Sequence, residues 1–242
     1  MTRVADAGTA ASSLPHFNPT PGVITIWSDI GCPWATLALH RLRRAIADSR
    51  DPMLVDHRVF PLELFNERPT PKLVLDAEMA VIGSHEPALG WRPWRGPSET
   101  YPVTTLLAME AVQAAKDRRV GGLAASAALD WALREAFFVD SRCISMLTEV
   151  LAIATNCPDV DADALAAALR NGRSRETLFS DFSVARGADI TGSPQVFLPD
   201  GTGVHNPGIE NMWTRERGSG YPVIVNDDPL VWPDLVRRAG HS

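Results

Sequence analysis

Two hydrophobic rhythms divide the chain. Residues 23–27, Val-Ile-Thr-Ile-Trp, form a short β-branched run closed by Ser28-Asp29-Ile30-Gly31, which predicts a strand ending in a turn. From Pro33 onward the period lengthens. Trp34, Ala38, Leu42 and Ala45 recur at three and four, with Leu39 and Ile46 beside them, and predict a helix. Pro33 suits the first turn of that helix, where its missing N–H has no intrahelical partner. Cys32 therefore stands at a strand-to-helix junction. Residues 54–64 predict a second strand running into a turn, and a strand-helix-strand order favours parallel pairing.

From residue 73 to about 187 the pattern turns helical, rich in alanine and leucine. Helices are predicted over 73–82, 103–119, 123–138, 145–155, 161–170 and 174–186. Asp161 and Ser174 suit N-caps and Gly172 suits a stop. Residues 85–101 break the block as a long loop that carries three prolines, Trp91 and Trp94. Strand character returns at 195–198, and a Gly-rich turn joins it to a partner at 204–206 as a hairpin. A Gly-, Arg- and aromatic-containing stretch over 208–221 leads to 223–225. A last helix follows Pro229 and ends at 239, its start left open by Pro233. The order is β-α-β, helical insertion, β-β-α. It implies one discontinuous α/β domain over 22–72 and 187–240, an inserted helical lid over 73–186, and a polar extension over 1–21.

Composition narrows the function classes. With 45% hydrophobic residues in 242, the chain can bury a sizeable core. A net charge of −6 without a basic block argues against nucleic-acid binding and charge-driven membrane attachment. No apolar run reaches the length of a membrane span, and residues 1–17 have no apolar signal region, so a cytoplasmic location is expected. The three cysteines, Cys32, Cys143 and Cys157, lie far apart, which speaks against a disulfide scaffold and against zinc.

Cys32 is the leading chemical candidate. A thiolate at a helix N-terminus is favoured by unpaired N–H groups and the positive dipole end, so a lowered pKa and nucleophilic sulfur are expected. Ser28-Asp29-Ile30-Gly31-Cys32-Pro33-Trp34 resembles the active-site run of DsbA-like thioredoxin-fold proteins, especially the cytoplasmic FrnE-like branch. Gly192-Ser193-Pro194-Gln195-Val196-Phe197 resembles the cis-proline loop of that family. The resemblance covers roughly residues 23–239. It implies a thioredoxin fold with a helical insertion, Cys32 as attacking thiolate, a cis bond before Pro194 lying against Cys32, and Ser193 offering its backbone to substrate. Pro33 and Trp34 complete the catalytic motif, and Trp34, Trp91 and Trp94 are candidates for the substrate cleft.

One departure changes the expected chemistry. The family motif ends in a second cysteine, and here Ala35 takes that place: Cys-Pro-Trp-Ala. An internal dithiol–disulfide cycle is then absent at this site, and an external thiol, glutathione-like or another small thiol, would have to release a mixed disulfide. The expected partner is a peptide or small-molecule thiol or disulfide, with no tightly bound cofactor and a monomeric or homodimeric protein. Kappa-class glutathione transferases and hydroxychromene-carboxylate isomerases resemble the same architecture, which keeps a small-thiol-dependent transferase or isomerase open, beside a non-catalytic peptide-binding member. Asp29, His57, His205, Cys143 and Cys157 are secondary candidates, each with an ordinary turn, core or surface role as the alternative.

Overall fold

The computed structural model describes residues 16–187 and 189–241, so most of the expected extension over 1–21 lies outside the described residues. β1 (Val23–Ser28) is buried along its whole length and leads into α1 (Pro33–Ala47) and β2 (Leu54–Val59). β1 and β2 pair in parallel, with Val23 opposite Leu54 and Ser28 opposite Val59, as the strand-helix-strand order predicts. β3 (Gln195–Phe197) lies antiparallel along the other side of β1 and carries β4 (Gly203–His205) at its outer edge. The sheet order is β2-β1-β3-β4.

Alternation along the strands sends side chains to two cores. Ile24, Ile26 and Val196 pack with Leu39 and Leu42 of α1 and with Trp232 and Leu235 of α9 (Val231–His241). Trp27 and Phe197 point the other way, onto Phe60, Ala185 and Ile190. Burial on both faces explains why β1 reads as an apolar run rather than an alternation.

Between β2 and β3 the chain forms α2 (Leu62–Phe65), α3 (Lys72–His85), α4 (Leu106–Ala115), α5 (Gly122–Phe138), α6 (Leu147–Ala154), α7 (Ala162–Asn171) and α8 (Arg173–Ala185). Ala108, Met109, Val112, Leu129, Leu133, Phe138, Ile153 and Leu165 form the core of this block. The whole is a mixed α/β thioredoxin-like core with a large all-helical insertion, α3–α8. Asp161 caps α7 by accepting from the Ala164 N–H at 2.9 Å, and Gly172 ends it at φ 71°.

Four features differ from expectation. Ser174 lies inside α8, whose N-cap is Gly172. The second strand stops at Val59, because Pro61 starts α2 and the Leu62 N–H turns inward to Asp29 Oδ2 at 2.9 Å. The helix expected over 103–119 starts only at Leu106, since the Thr104 N–H is taken by Ser145 Oγ and the Thr105 N–H by Glu63 Oε1. Residues 208–221 contain β5 (Ile209–Trp213), which pairs antiparallel with β6 (Pro222–Asp227) as a separate hairpin. Only alternate residues of β5 are partly covered, and polar Glu210 and Asn211 hide its period.

Candidate active site

The site is built on the turn between β1 and α1. Asp29 shapes it: Oδ1 accepts from the Gly31 N–H at 2.8 Å and the Thr105 hydroxyl at 2.8 Å. Gly31 is required by close approach, since a Cβ there would stand 2.9 Å from Thr105 Cγ2. Cys32 follows as the N-cap of α1 with extended backbone, and its carbonyl accepts the Thr36 N–H at 3.1 Å.

The second half arrives from the β3 side. The Ser193–Pro194 peptide bond is cis. Ser193 Oγ accepts from the Asp29 N–H at 3.0 Å, and the Cys32 thiol donates to the Ser193 carbonyl at 3.3 Å. Two motifs separated by 161 residues thus meet at one sulfur. Ala35, fully buried, occupies the next turn of α1, and all three cysteines are free. Cys157 belongs to the insertion core, where its thiol faces the Ile153 carbonyl, and neither Cys157 nor Cys143 packs in the Cys32 cluster.

The ionisation of Cys32 overturns the expectation from its helix position. Only 3% of the residue is exposed, among Trp34, Leu37, Ile82 and Leu89. Burial, followed by the neighbouring Glu78 carboxylate, pushes the thiol up to about 11, against the pull of the Ala35 N–H. Desolvation penalises the charged form more than the helix start favours it. The helix N-terminus is where the sequence put it, but the insertion covers it.

The remaining candidates separate. Trp34 is buried beside Cys32. Trp91 packs against the same cluster, stacks on Phe138 at 4.9 Å, and lines a cleft of about 560 Å³ with Met79, Gly83 and Pro93. Trp94 is not brought to Cys32; it meets Tyr101 edge-on at 5.2 Å and donates to the Pro97 carbonyl. Asp29 has a turn-forming role. His57, buried on β2, lies 3.5 Å from Asp130 and is held down to about 4 by desolvation. His205 on β4 is exposed.

Two functional neighbours escaped the sequence reading. Arg134 of α5, with no exposed surface, donates to the carbonyls of Asp29 and Ile30, to Ser28 Oγ and to Thr36 Oγ1, while Asp130 neutralises it at 2.8 Å. Glu78 of α3 is 1% exposed, and its Oε1 accepts from Arg217 at 2.9 Å. Burial pushes its carboxyl up, while Arg217 and the Trp34 indole pull it down. Both had a signal: a charge within an apolar helical face, Leu75-Glu78-Ile82 in α3 and Leu129-Asp130-Leu133-Arg134 in α5.

The model of the DSBA-like thioredoxin domain family matches residues 23–215. No curated protein sequence matches. Among solved structures, a probable DsbA oxidoreductase of Streptomyces coelicolor is 21% identical with a TM-score of 0.63, over 91% of this chain and 90% of that one. The cytosolic disulfide reductase DsbM of Pseudomonas aeruginosa, solved with GSH, is 16% identical with a TM-score of 0.64, over 91% of this chain and 100% of that one. A 2-hydroxychromene-2-carboxylate isomerase is 13% identical with a TM-score of 0.53, over 73% of this chain and 85% of that one. These structures share the fold.

Proposed function

The chain belongs to the DSBA-like thioredoxin domain family, a setting for thiol-based redox or isomerase chemistry, and we propose that it is a monothiol member acting on mixed disulfides or disulfides through Cys32. The observation that carries this reading is the meeting of a lone Cys32 Sγ with the Ser193 carbonyl beside cis-Pro194, with Ala35 where a second sulfur would stand.

The steps follow from the atoms present. An extended peptide or a small disulfide docks its backbone on residue 193, in competition with the bond from the Cys32 thiol. The Cys32 sulfur, once deprotonated, attacks one sulfur of the substrate disulfide; a Cys32–substrate disulfide forms and the other substrate sulfur leaves as thiolate. Ala35 cannot displace it. A low-molecular-weight thiol then attacks the substrate sulfur, carrying it away as a new mixed disulfide and restoring Cys32. No net oxidation occurs at the protein. The GSH bound to DsbM supports glutathione or a similar peptide thiol in that role, and a reducing cytoplasm would keep Cys32 free.

A second reading has one observation in its favour. A thiol held up to about 11 and spent on a carbonyl is a poor resting nucleophile. In that reading Cys32 positions a small thiol that itself performs transfer or isomerisation. The test compares wild type with Cys32→Ser in a coupled assay on a glutathione-mixed disulfide. Turnover that vanishes in the variant, with a Cys32 adduct trapped by mass, supports the first reading. Turnover that survives the substitution rejects it and leaves the second.

A further inference from the structure

A cleft of about 360 Å³ lies between the segment 66–74 and the turn 217–219. Its polar wall comes from Asn66, Arg68, Thr70, Arg217 and Ser219. Arg68 is exposed and has no ion pair among the described residues. Arg217 faces two ways: its side chain is 44% exposed at the cleft, while Nε and Nη2 reach Glu78 Oε1 at 3.3 and 2.9 Å. Two guanidinium forks around a polar cleft match a carboxylate in shape and charge.

We propose that this cleft binds the carboxylate end of a small peptide-like thiol, and that the bound anion draws Arg217 off Glu78 and thereby activates Cys32. The proposal rests on the monothiol reading above and adds to it a binding site and a coupling. Without Arg217, a carboxylate that is 1% exposed keeps only the Trp34 indole, a neutral donor, against the cost of burial, and takes up a proton. A neutral Glu78 no longer opposes a charge on Cys32, so the thiol gives up its proton more readily. Net, one proton is gained by Glu78 and one is lost by Cys32. The charged and titratable groups acting on this pair are Arg217 from the β5–β6 turn and Asp29 from the β1–α1 turn. On β6, which also packs on α3, Asp227 is engaged by Arg41 of α1 at 2.6 Å.

The experiment is the pH profile of Cys32 labelling by iodoacetamide, read by peptide mass, with and without S-methylglutathione. This thioether has both carboxylates and cannot form a disulfide; its diethyl ester, which keeps the amine and lacks both carboxylates, is the control. The acid should speed Cys32 labelling at pH 8 on the order of tenfold, equivalent to one pH unit of thiolate, and the ester should not. Arg68→Gln should weaken the effect. Glu78→Gln and Arg217→Gln should label fast without the probe and ignore it; Arg217, on an exposed turn, keeps the test readable if the Glu78 variant fails to fold. A probe that leaves wild type unchanged or slower, or speeds Glu78→Gln equally, overturns the proposal. Labelling needs no turnover. A responsive profile without turnover refutes the monothiol function alone, whereas turnover with an unresponsive profile refutes the cleft alone.

Discussion

Arg134 Nη1 donates to the Asp29 carbonyl oxygen at 3.0 Å, so the helical insertion holds the turn that presents Cys32. The same guanidinium reaches the Ile30 carbonyl, Ser28 Oγ and Thr36 Oγ1, which ties β1, the turn and α1 to one side chain of α5. The insertion therefore supports the site from below. It satisfies the backbone polar groups that a sharp, buried turn would otherwise leave without partners.

Replacing that group should be costly. Arg134→Met strips hydrogen bonds from the turn and leaves Asp130 a buried charge without its directly bonded cation, with His57 at 3.5 Å and the field of Arg43 remaining. A loss of about 3–5 kcal/mol is expected, as for breaking a buried ion pair. Arg134→Met with Asp130→Leu should recover part of it. Urea midpoints of the single and double variants measure both.

Restoring the missing sulfur should change the chemistry. Positions three apart on a helix bring their Cβ atoms to roughly 5–6 Å, so Ala35→Cys should close a disulfide with Cys32 after a small adjustment. Thiol titration after mild oxidation should show two thiols consumed in the variant and none in wild type. The variant should then oxidise a reduced peptide dithiol stoichiometrically. An Ala35→Cys protein that keeps both thiols free would show the pair out of reach.

Stability should fall at high pH through Cys32. Its native value is raised from 9.0 to about 11, so between those limits the unfolded chain loses a proton that the native state retains. The contribution is fully present below pH 9 and lost as pH rises through 11, a change of about 3 kcal/mol. The difference in unfolding free energy between wild type and Cys32→Ala, followed by urea titration from pH 8 to 11, should trace that loss.

The opposite sign holds for His57. Burial lowers it from 6.5 to about 4, so the unfolded chain binds a proton in that interval and the native state does not. Stability present above pH 6.5 should be lost as pH falls through 4, by about 3 kcal/mol. His57→Gln should flatten this part of the curve. A wild-type curve already flat from pH 7 to 4 would contradict it.

Much of this was written in local pattern. The run 23–27, the period from Trp34 to Ala45, the six helical stretches of the insertion and the 195–198 hairpin all emerge from side-chain spacing, because strand and helix periods depend on near neighbours. The meeting of Cys32 with the Ser193–Pro194 segment was legible only as implied by the family resemblance of two short motifs rather than by spacing. The half-covered strand Ile209–Trp213 was not, since polar residues interrupt its alternation. Nor were Glu78, Arg134 and Arg217: Glu78 and Arg217 meet across 139 residues, and the groups that Arg134 holds at Ser28, Asp29 and Ile30 lie more than a hundred residues away.

What the amino-acid order alone determined, then, is most of the helices and the strands with a clear apolar period, and that a lone thiol begins a helix. Whether that thiol is charged was decided in three dimensions. Helix dipole and N–H groups are local and read from sequence, whereas desolvation and the field of Glu78 depend on what α3 and its neighbours lay over the sulfur. At Cys32 the distant contributions outweigh the local ones, because removing water raises the free energy of a thiolate more than a helix start lowers it.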